Sequence, residues 1–367
     1  MMHKVEHPAF LQEQIITYIG NKRALLPYID AEVQAVREKL GGKKLVCADL
    51  FAGSGVVSRL LKQHAETLTV NDLETYSRIL AECYLCNRDA YPAEAVATAL
   101  ERLEAALAQP VEGLVANQYA PRDDQNIQSG ERVFYTRDNA LRIDTYRAAI
   151  EREAPALKSF LMGPLLYAAS VHTNTGGVFK GFYKDSNTGI GKFGGNGANA
   201  LSRILGAITL QEPVLSAFDC NTVIYQEDVN TLASKLPMQD LVYLDPPYNQ
   251  HPYGSNYFML NVIAENRLPG TLSKVSGIPD TWNRSDYNKR TKALAAMEAL
   301  VRDLMARYLL ISYNSEGFIS LEEMEQLLRK YGKVARREIV YPTYRASRNL
   351  RERSIKVSEY LFVVEKD

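Results

Sequence analysis

Apolar positions along this chain alternate between two kinds of run. Short unbroken stretches such as Leu45-Val46-Cys47-Ala48, Thr67-Leu68-Thr69-Val70, Thr222-Val223-Ile224-Tyr225, Leu241-Val242-Tyr243-Leu244 and Leu309-Leu310-Ile311 have the length and β-branched character of strands buried on both faces. Between them the apolar residues recur at helical spacing, as from Ala24 to Val36, Ala95 to Leu107, Leu141 to Glu153, Lys292 to Arg307 and Leu321 to Lys330. Strand and helix in turn predict an α/β fold with a mostly parallel sheet. Two late runs, Lys333 to Tyr341 and Glu359 to Val364, predict a terminal hairpin that adds an antiparallel edge.

The alternation is interrupted once. From about residue 75 to residue 170 the pattern is helical, with a polar, turn-rich stretch between Asn117 and Gly130. That is far longer than the connection between neighbouring βα units. An inserted region over 83–215 is expected, flanked by two parts of one catalytic domain at 1–82 and 216–367.

The ends of the strands carry the polar chemistry. The run Leu241 to Leu244 stops in Asp245-Pro246-Pro247-Tyr248. Proline fixes its own φ and has no N–H for a sheet ladder, so the two prolines end the strand and stiffen its exit. The exit holds a carboxylate, a free carbonyl and a ring in fixed relative positions, an arrangement suited to a planar amine. Upstream, the strand from Leu45 to Leu50 enters Phe51-Ala52-Gly53-Ser54-Gly55 and then a helix. Glycines in such a turn let the backbone approach a ligand closely. The third glycine of a dinucleotide fingerprint is replaced by Ser58, which favours a nucleoside site over a pyrophosphate site. Asp72 ends the next strand about 20 residues beyond that turn, where an acidic side chain reaches ribose hydroxyls. Glu74 is the reserve, and a helix N-cap is the alternative role for Asp72. Near the start, Gly20-Asn21-Lys22-Arg23 turns into a helix, and its N–H groups and cations suit an anion.

Composition narrows the class. With 367 residues, 46% hydrophobic and 23% charged, the chain is that of a globular protein with a sizeable core. No apolar run approaches the roughly 20 residues of a membrane span, and Met1 to His7 lacks the apolar core of a secretory signal. A cytoplasmic protein is expected. Net charge is zero, so any nucleic-acid contact must come from local patches. Cys83-x-x-Cys86 has no second close pair to complete a metal set, and no metal is expected.

Two local patches qualify. Eight of the 22 glycines fall between Gly176 and Gly197, interleaved with aromatic rings and with Lys180, Lys184 and Lys192. Exposed N–H groups, rings and positive charge are what tracking a phosphate backbone requires, and Asn174 at the head of this segment joins the candidates. Tyr344 to Arg353 carries Arg345, Arg348, Arg351 and Arg353 against Glu352, a basic hairpin tip.

Taken in chain order, Tyr18-x-Gly20-x-Lys22, Asp49-Leu-Phe-Ala-Gly-Ser-Gly55, Asn71-Asp72, Asp228-Val229 and Asp245-Pro-Pro-Tyr248 resemble the DNA methyltransferases that modify adenine N6, in the branch typified by the deoxyadenosine methylases. The resemblance spans nearly the whole chain. It implies a seven-stranded Rossmann-like sheet, S-adenosylmethionine as donor, double-stranded DNA as partner and a target-recognition insertion. A cognate restriction endonuclease is a further partner it suggests, in a bacterial or phage-type setting. The donor site would be formed by Tyr18, Gly20, Asn21, Lys22, Asp49, Phe51, Ala52, Gly53, Gly55, Asp72, Leu73, Asp228 and Val229, with Asp228 on the donor's adenine amine. Tyr18 stands where relatives often carry tryptophan.

Adenine N6 is a poor nucleophile because its lone pair is conjugated into the ring. Asp245 and the Pro246 carbonyl would accept its two N–H groups and favour a pyramidal nitrogen, with Pro247 holding the turn. The base must leave the duplex to reach this exit. Tyr248 would stack on it, with Tyr257 or Phe258 on the opposite face. Asp before the prolines argues against protein-glutamine enzymes, which carry Asn, and cytosine-N4 enzymes, which carry Ser. An RNA adenine methyltransferase and a catalytically silent DNA-binding subunit are the alternatives.

Overall fold

The computed structural model describes residues 5–195, 200–268, 270–342 and 356–367. Seven strands form one sheet: β1 (Leu45–Asp49), β2 (Ala65–Asn71), β3 (Asn221–Tyr225), β4 (Gln239–Leu244), β5 (Ala306–Asn314), β6 (Gly332–Pro342) and β7 (Lys356–Lys366). Their spatial order is β3-β2-β1-β4-β5-β7-β6. The first five pair in parallel, and β7 runs antiparallel to both β5 and β6. The expected hairpin is present, but it folds inward: the reversed strand is β7, held between β5 and β6, and the outer edge is β6.

Continuous apolar runs are explained by burial on both sides of the sheet. Leu45, Cys47, Leu241, Tyr243, Leu310 and Leu361 point to one face, where helices Leu26–Lys39 and Val56–His64 pack. Their neighbours Ala48, Val242, Leu244, Leu309, Ile311 and Phe362 point to the other, against helices Arg290–Asp303 and Leu321–Leu328. Successive side chains alternate across a strand, so a central strand with two buried faces shows no polar alternation.

A third core belongs to the helical block. Helices Ala93–Ala106, Arg137–Arg152 and Pro155–Val171 pack there with Thr75–Tyr84. Gly163 makes the closest approach possible, since a Cβ there would lie 2.6 Å from Cys83 Sγ. Helix Phe258–Glu265, from beyond the Asp-Pro-Pro-Tyr turn, contributes Phe258, Met259, Val262 and Ile263 to the same core. The block is thereby tied to the exit of β4. Among the described residues no helix is long and apolar enough to cross a membrane.

Candidate active site

Strand order reverses between β1 and β4, and in open α/β sheets ligands bind at the carboxyl ends of strands at such a point. Asp49 of β1 lies in register with Tyr243 of β4, so the glycine loop and Asp245 leave the sheet side by side. Asn71, at the end of β2, ties the neighbouring exits together. Its Nδ2 donates to the carbonyls of Leu50 and Glu227, and its Oδ1 accepts from the Glu227 N–H at 3.0 Å.

Above these ends opens a cleft. Twelve of the thirteen residues expected at a donor site line it: Tyr18, Gly20, Asn21, Lys22, Asp49, Phe51, Ala52, Gly53, Asp72, Leu73, Asp228 and Val229. Gly55 stands one step behind them, in the left-handed region at the start of helix Val56–His64. Gly53 has φ +53°, and a Cβ there would sit 2.9 Å from the Tyr18 ring. Only glycine lets the loop lie this close to that ring. The Tyr18 ring also stacks on Tyr253 and Tyr257, at centroid distances of 4.9 and 4.5 Å.

Six acidic residues line the cleft: Asp49, Asp72, Glu74, Glu227, Asp228 and Asp245. Asp72 accepts from the Gly53 N–H at 2.7 Å and from the Glu74 N–H at 2.9 Å. It is not a helix N-cap: that position is Glu74, which makes no side-chain capping bond. Burial raises the Asp72 carboxyl above its usual range against these two donors. Glu74 is pushed up to about 8 by burial and by Asp72, although Asn261 and Asn283 donate to it. Asp49, which accepts from Ser58 Oγ, is raised to about 7 by burial. Asp228 caps helix Val229–Ala233 by accepting from the Thr231 N–H at 3.0 Å.

Asp245 reaches the cleft from the end of β4. Lys22 Nζ lies 2.9 Å from its carboxylate and 3.0 Å from that of Glu359 on β7. The anion that the Gly20–Arg23 turn was expected to hold is therefore supplied by the chain itself. Burial alone would depress the Lys22 ammonium, but Asp245 and then Glu359 hold it well above its ordinary value. Burial raises Asp245; Lys22 opposes this and Glu359 adds to it, leaving the carboxyl at about 6.

A second hollow adjoins the first. Pro247 and Tyr253 line both; Tyr248, Asn249, Lys180 and His251 belong to the second alone. Asp245 thus lies on one side of a shared wall and the Tyr248 ring on the other. The far end of Tyr248 is fixed by an edge contact with Tyr313 and by the Phe318 N–H, which donates to its carbonyl.

With this geometry in hand, comparison with known proteins is decisive. Residues 18–327 match the family described as D12 class N6 adenine-specific DNA methyltransferase. The chain belongs to this family. Type II methyltransferase M.NlaIII of Neisseria lactamica is 29% identical to the methyltransferase over 363 residues, covering 96% of this chain and 99% of that protein. Type II methyltransferase M.CviAII of Paramecium bursaria Chlorella virus 1 is 31% identical over 355 residues, covering 95% and 98%. Modification methylase StsI of Streptococcus sanguinis is 29% identical over 367 residues, covering 95% of this chain and 52% of that longer protein. The methyltransferase is thus a site-specific, adenine-directed DNA-modifying enzyme.

Three expectations about the methyltransferase's DNA side need correction. Tyr257 is fully buried, its hydroxyl accepting from the Ile19 N–H at 2.6 Å. Phe258 is packed among Tyr119, Phe134 and Phe179. Neither ring faces the hollow, and the ring that does is Tyr253. Asn174 is fully buried: it donates to the carbonyls of Val133 and Lys192 and accepts from the Gly194 N–H. It braces the glycine-rich segment from within, and that segment also buries Phe179 and Phe182. Lys180 is where a contact would be useful, with its ammonium 3.5 Å from His251 Nδ1 at the hollow's rim. Lys184 lies over the Phe182 ring, and Lys192 is half-exposed. Arg345, Arg348 and Arg351 lie outside the described residues.

Sequence reasoning passed over Asn283, Ser285 and Asn288, which cover the cleft from a segment without regular pattern. It also passed over Glu359, although a lone acid opening the run Tyr360-Leu361-Phe362 is a signal.

Proposed function

We propose that the methyltransferase moves the methyl group of S-adenosylmethionine to N6 of an adenine rotated out of duplex DNA. The observation that carries this is the pair of adjoining hollows, one lined by acids including Asp245 and by the glycine loop, the other by Tyr248, with Pro247 and Tyr253 lining both. The cleft fits such a donor. Its acidic lining suits a cationic molecule, Gly53 leaves room that any Cβ would fill, and Asp49 Oδ1 is a buried acceptor without a hydrogen-bond partner. Asp72 would hold the ribose hydroxyls and Asp228 the adenine amine, with Gly20, Asn21, Leu73 and Val229 along its sides. The bound donor supplies an electrophilic methyl on a positively charged sulfur.

The chain's own residues prepare the amine. Asp245 and the Pro246 carbonyl accept its two N–H groups, which turns the lone pair out of conjugation and toward the cleft. A donor held there would supply the methyl group and keep the electron pair of its broken C–S bond on sulfur, while Asp245 or water takes the surplus N6 proton. Tyr248 and Tyr253 provide the walls for the flipped base. Residues 83–215 serve as target-recognition region, with Lys180, Lys184 and Lys192 on phosphates, and a cognate endonuclease is the expected partner.

Incubation with methyl-tritiated S-adenosylmethionine and duplex DNA tests the reading. Label is expected in N6-methyldeoxyadenosine; label in cytosine, RNA or protein overturns it. A pH dependence follows from Asp245. Its carboxyl is raised to about 6, and once protonated it donates where the clamp needs an acceptor. The single-turnover rate at saturating donor and DNA is therefore expected to rise with pH through about 6 and then level off. A profile that is flat or falls over this range contradicts the role given to Asp245.

A further inference from the structure

The turn that carries Tyr248 is held at two successive carbonyls. That of Tyr248 accepts from the Phe318 N–H at 2.9 Å, a backbone tie to the segment after β5. The next, that of Asn249, accepts instead from a side chain, Asn288 Nδ2, at 2.7 Å. Asn249 lines the hollow that contains Tyr248, whereas Asn288 lines the acidic cleft. The bond between them therefore joins one hollow to the other. Asn288 is in turn seated on the glycine-loop side. It ends the short turn Asp286–Asn288, which Ser285 caps by accepting from the Tyr287 N–H at 3.2 Å. Tyr287 is buried, its ring edge-on to Phe51 at a centroid distance of 5.3 Å. Its hydroxyl donates at 2.9 Å to Oδ1 of Asn230, the residue after Val229. Phe51, Tyr287, Asn288 and Asn249 thus make an unbroken path from the cleft to the base hollow. A half-buried turn carbonyl needs only water to be satisfied. A side-chain amide also fixes where that carbonyl points.

We propose that Asn288 is a positioning residue that couples the donor cleft to the target-base hollow, by holding the Asn249 carbonyl and with it the turn that carries Tyr248. This rests on the function proposed above. Pro246 and Pro247 already stiffen the chain before Tyr248, so the freedom left in the turn lies after it, where Asn288 acts. A donor in the cleft meets Phe51 and Asn288, which line it, and orders the path from one end. A base stacked on Tyr248 orders the same path from the other. The ligand that binds second then loses less freedom, and each tightens the other by the same factor. Asn288 works through Asn249 and not on the reacting atoms.

The test is Asn288→Leu in the full-length protein, which keeps the size of the side chain and removes its N–H donors. The probes are sinefungin, an unreactive analogue of S-adenosylmethionine, and a duplex taken from DNA that accepts label in the tritium experiment. DNA affinity is measured with and without saturating sinefungin. In the natural protein sinefungin should tighten DNA binding about tenfold, and in Asn288→Leu that factor should fall to about two or less. The coupling is a ratio, so a change in either affinity alone leaves it readable. A merely structural role would shift those affinities and keep the ratio. Absence of coupling in the natural protein, or a tenfold factor that survives in the variant, overturns the proposal. If sinefungin does not bind the natural protein, the donor reading fails and the coupling with it. If sinefungin and DNA both bind and the factor is the same in both proteins, the donor reading stands and the role of Asn288 fails. Should Asn288→Leu not fold, Asn288→Asp carries the test, because it is nearly isosteric, turns an acceptor toward the Asn249 carbonyl and should abolish the coupling as fully. Failure of both variants to fold would make Asn288 structural and overturn the proposal.

Discussion

Replacing Asp245 with alanine is expected to slow methyl transfer by about a thousandfold or more, equivalent to about 4 kcal/mol of barrier, while donor affinity changes by less than about tenfold. Two physical reasons separate the effects. The carboxylate is the acceptor that draws the amine lone pair out of conjugation, and that interaction strengthens only as the nitrogen becomes tetrahedral. The donor cleft keeps Asp49, Asp72, Asp228 and the glycine loop in the variant, and Asp245 touches it only at one end. The fold should also survive, because Lys22 keeps Glu359 as a partner at 3.0 Å and is not left as an unpaired buried charge. Single-turnover transfer of tritium and calorimetric binding of S-adenosylhomocysteine separate the two quantities. A variant that transfers at near the normal rate would remove Asp245 from the chemistry. A variant that loses both rate and donor binding equally would move it into the donor site.

How much of this was legible in the sequence depends on the range over which each signal acts. The strands were readable because a doubly covered sheet writes itself as unbroken apolar runs, and Leu241 to Leu244 is one such run. The glycine loop and Asp72 were readable because they lie close in the chain and their tie, Gly53 N–H to Asp72, is local. The Lys22–Asp245–Glu359 cluster was not, since it joins three distant segments through tertiary folding alone. Aromatic identity also misled. Tyr253, Tyr257 and Phe258 look equivalent as rings after Tyr248, and only the helical spacing of Phe258, Met259, Val262 and Ile263 shows that this run faces a core. Asn174 misled for the opposite reason: a polar side chain in a glycine-rich stretch suggests solvent, but it is the buried polar groups of an irregular segment that need such a brace.

Asp72 carries the second large effect. Asp72→Ala is expected to weaken donor binding by about a hundredfold, the scale of two lost hydrogen bonds to a charged group. Both of its oxygens already accept a backbone N–H, from Gly53 and from Glu74. A carboxylate oxygen has a further lone pair, so each can still accept a ribose hydroxyl. The side chain thus shapes the loop and meets the ligand with the same two atoms. Asp72→Asn should be nearly as weak, because its amide places a donor against one of those N–H groups. An S-adenosylhomocysteine analogue lacking the ribose hydroxyls separates the two roles in a double-mutant cycle. It should bind the natural protein weakly and lose little more in Asp72→Ala if the ribose contact dominates. It should lose the full hundredfold if Asp72 acts only by holding the loop. Unchanged affinity for the parent ligand in Asp72→Ala would remove both roles, since the loop would then hold the donor without the Asp72 tie at the Gly53 N–H.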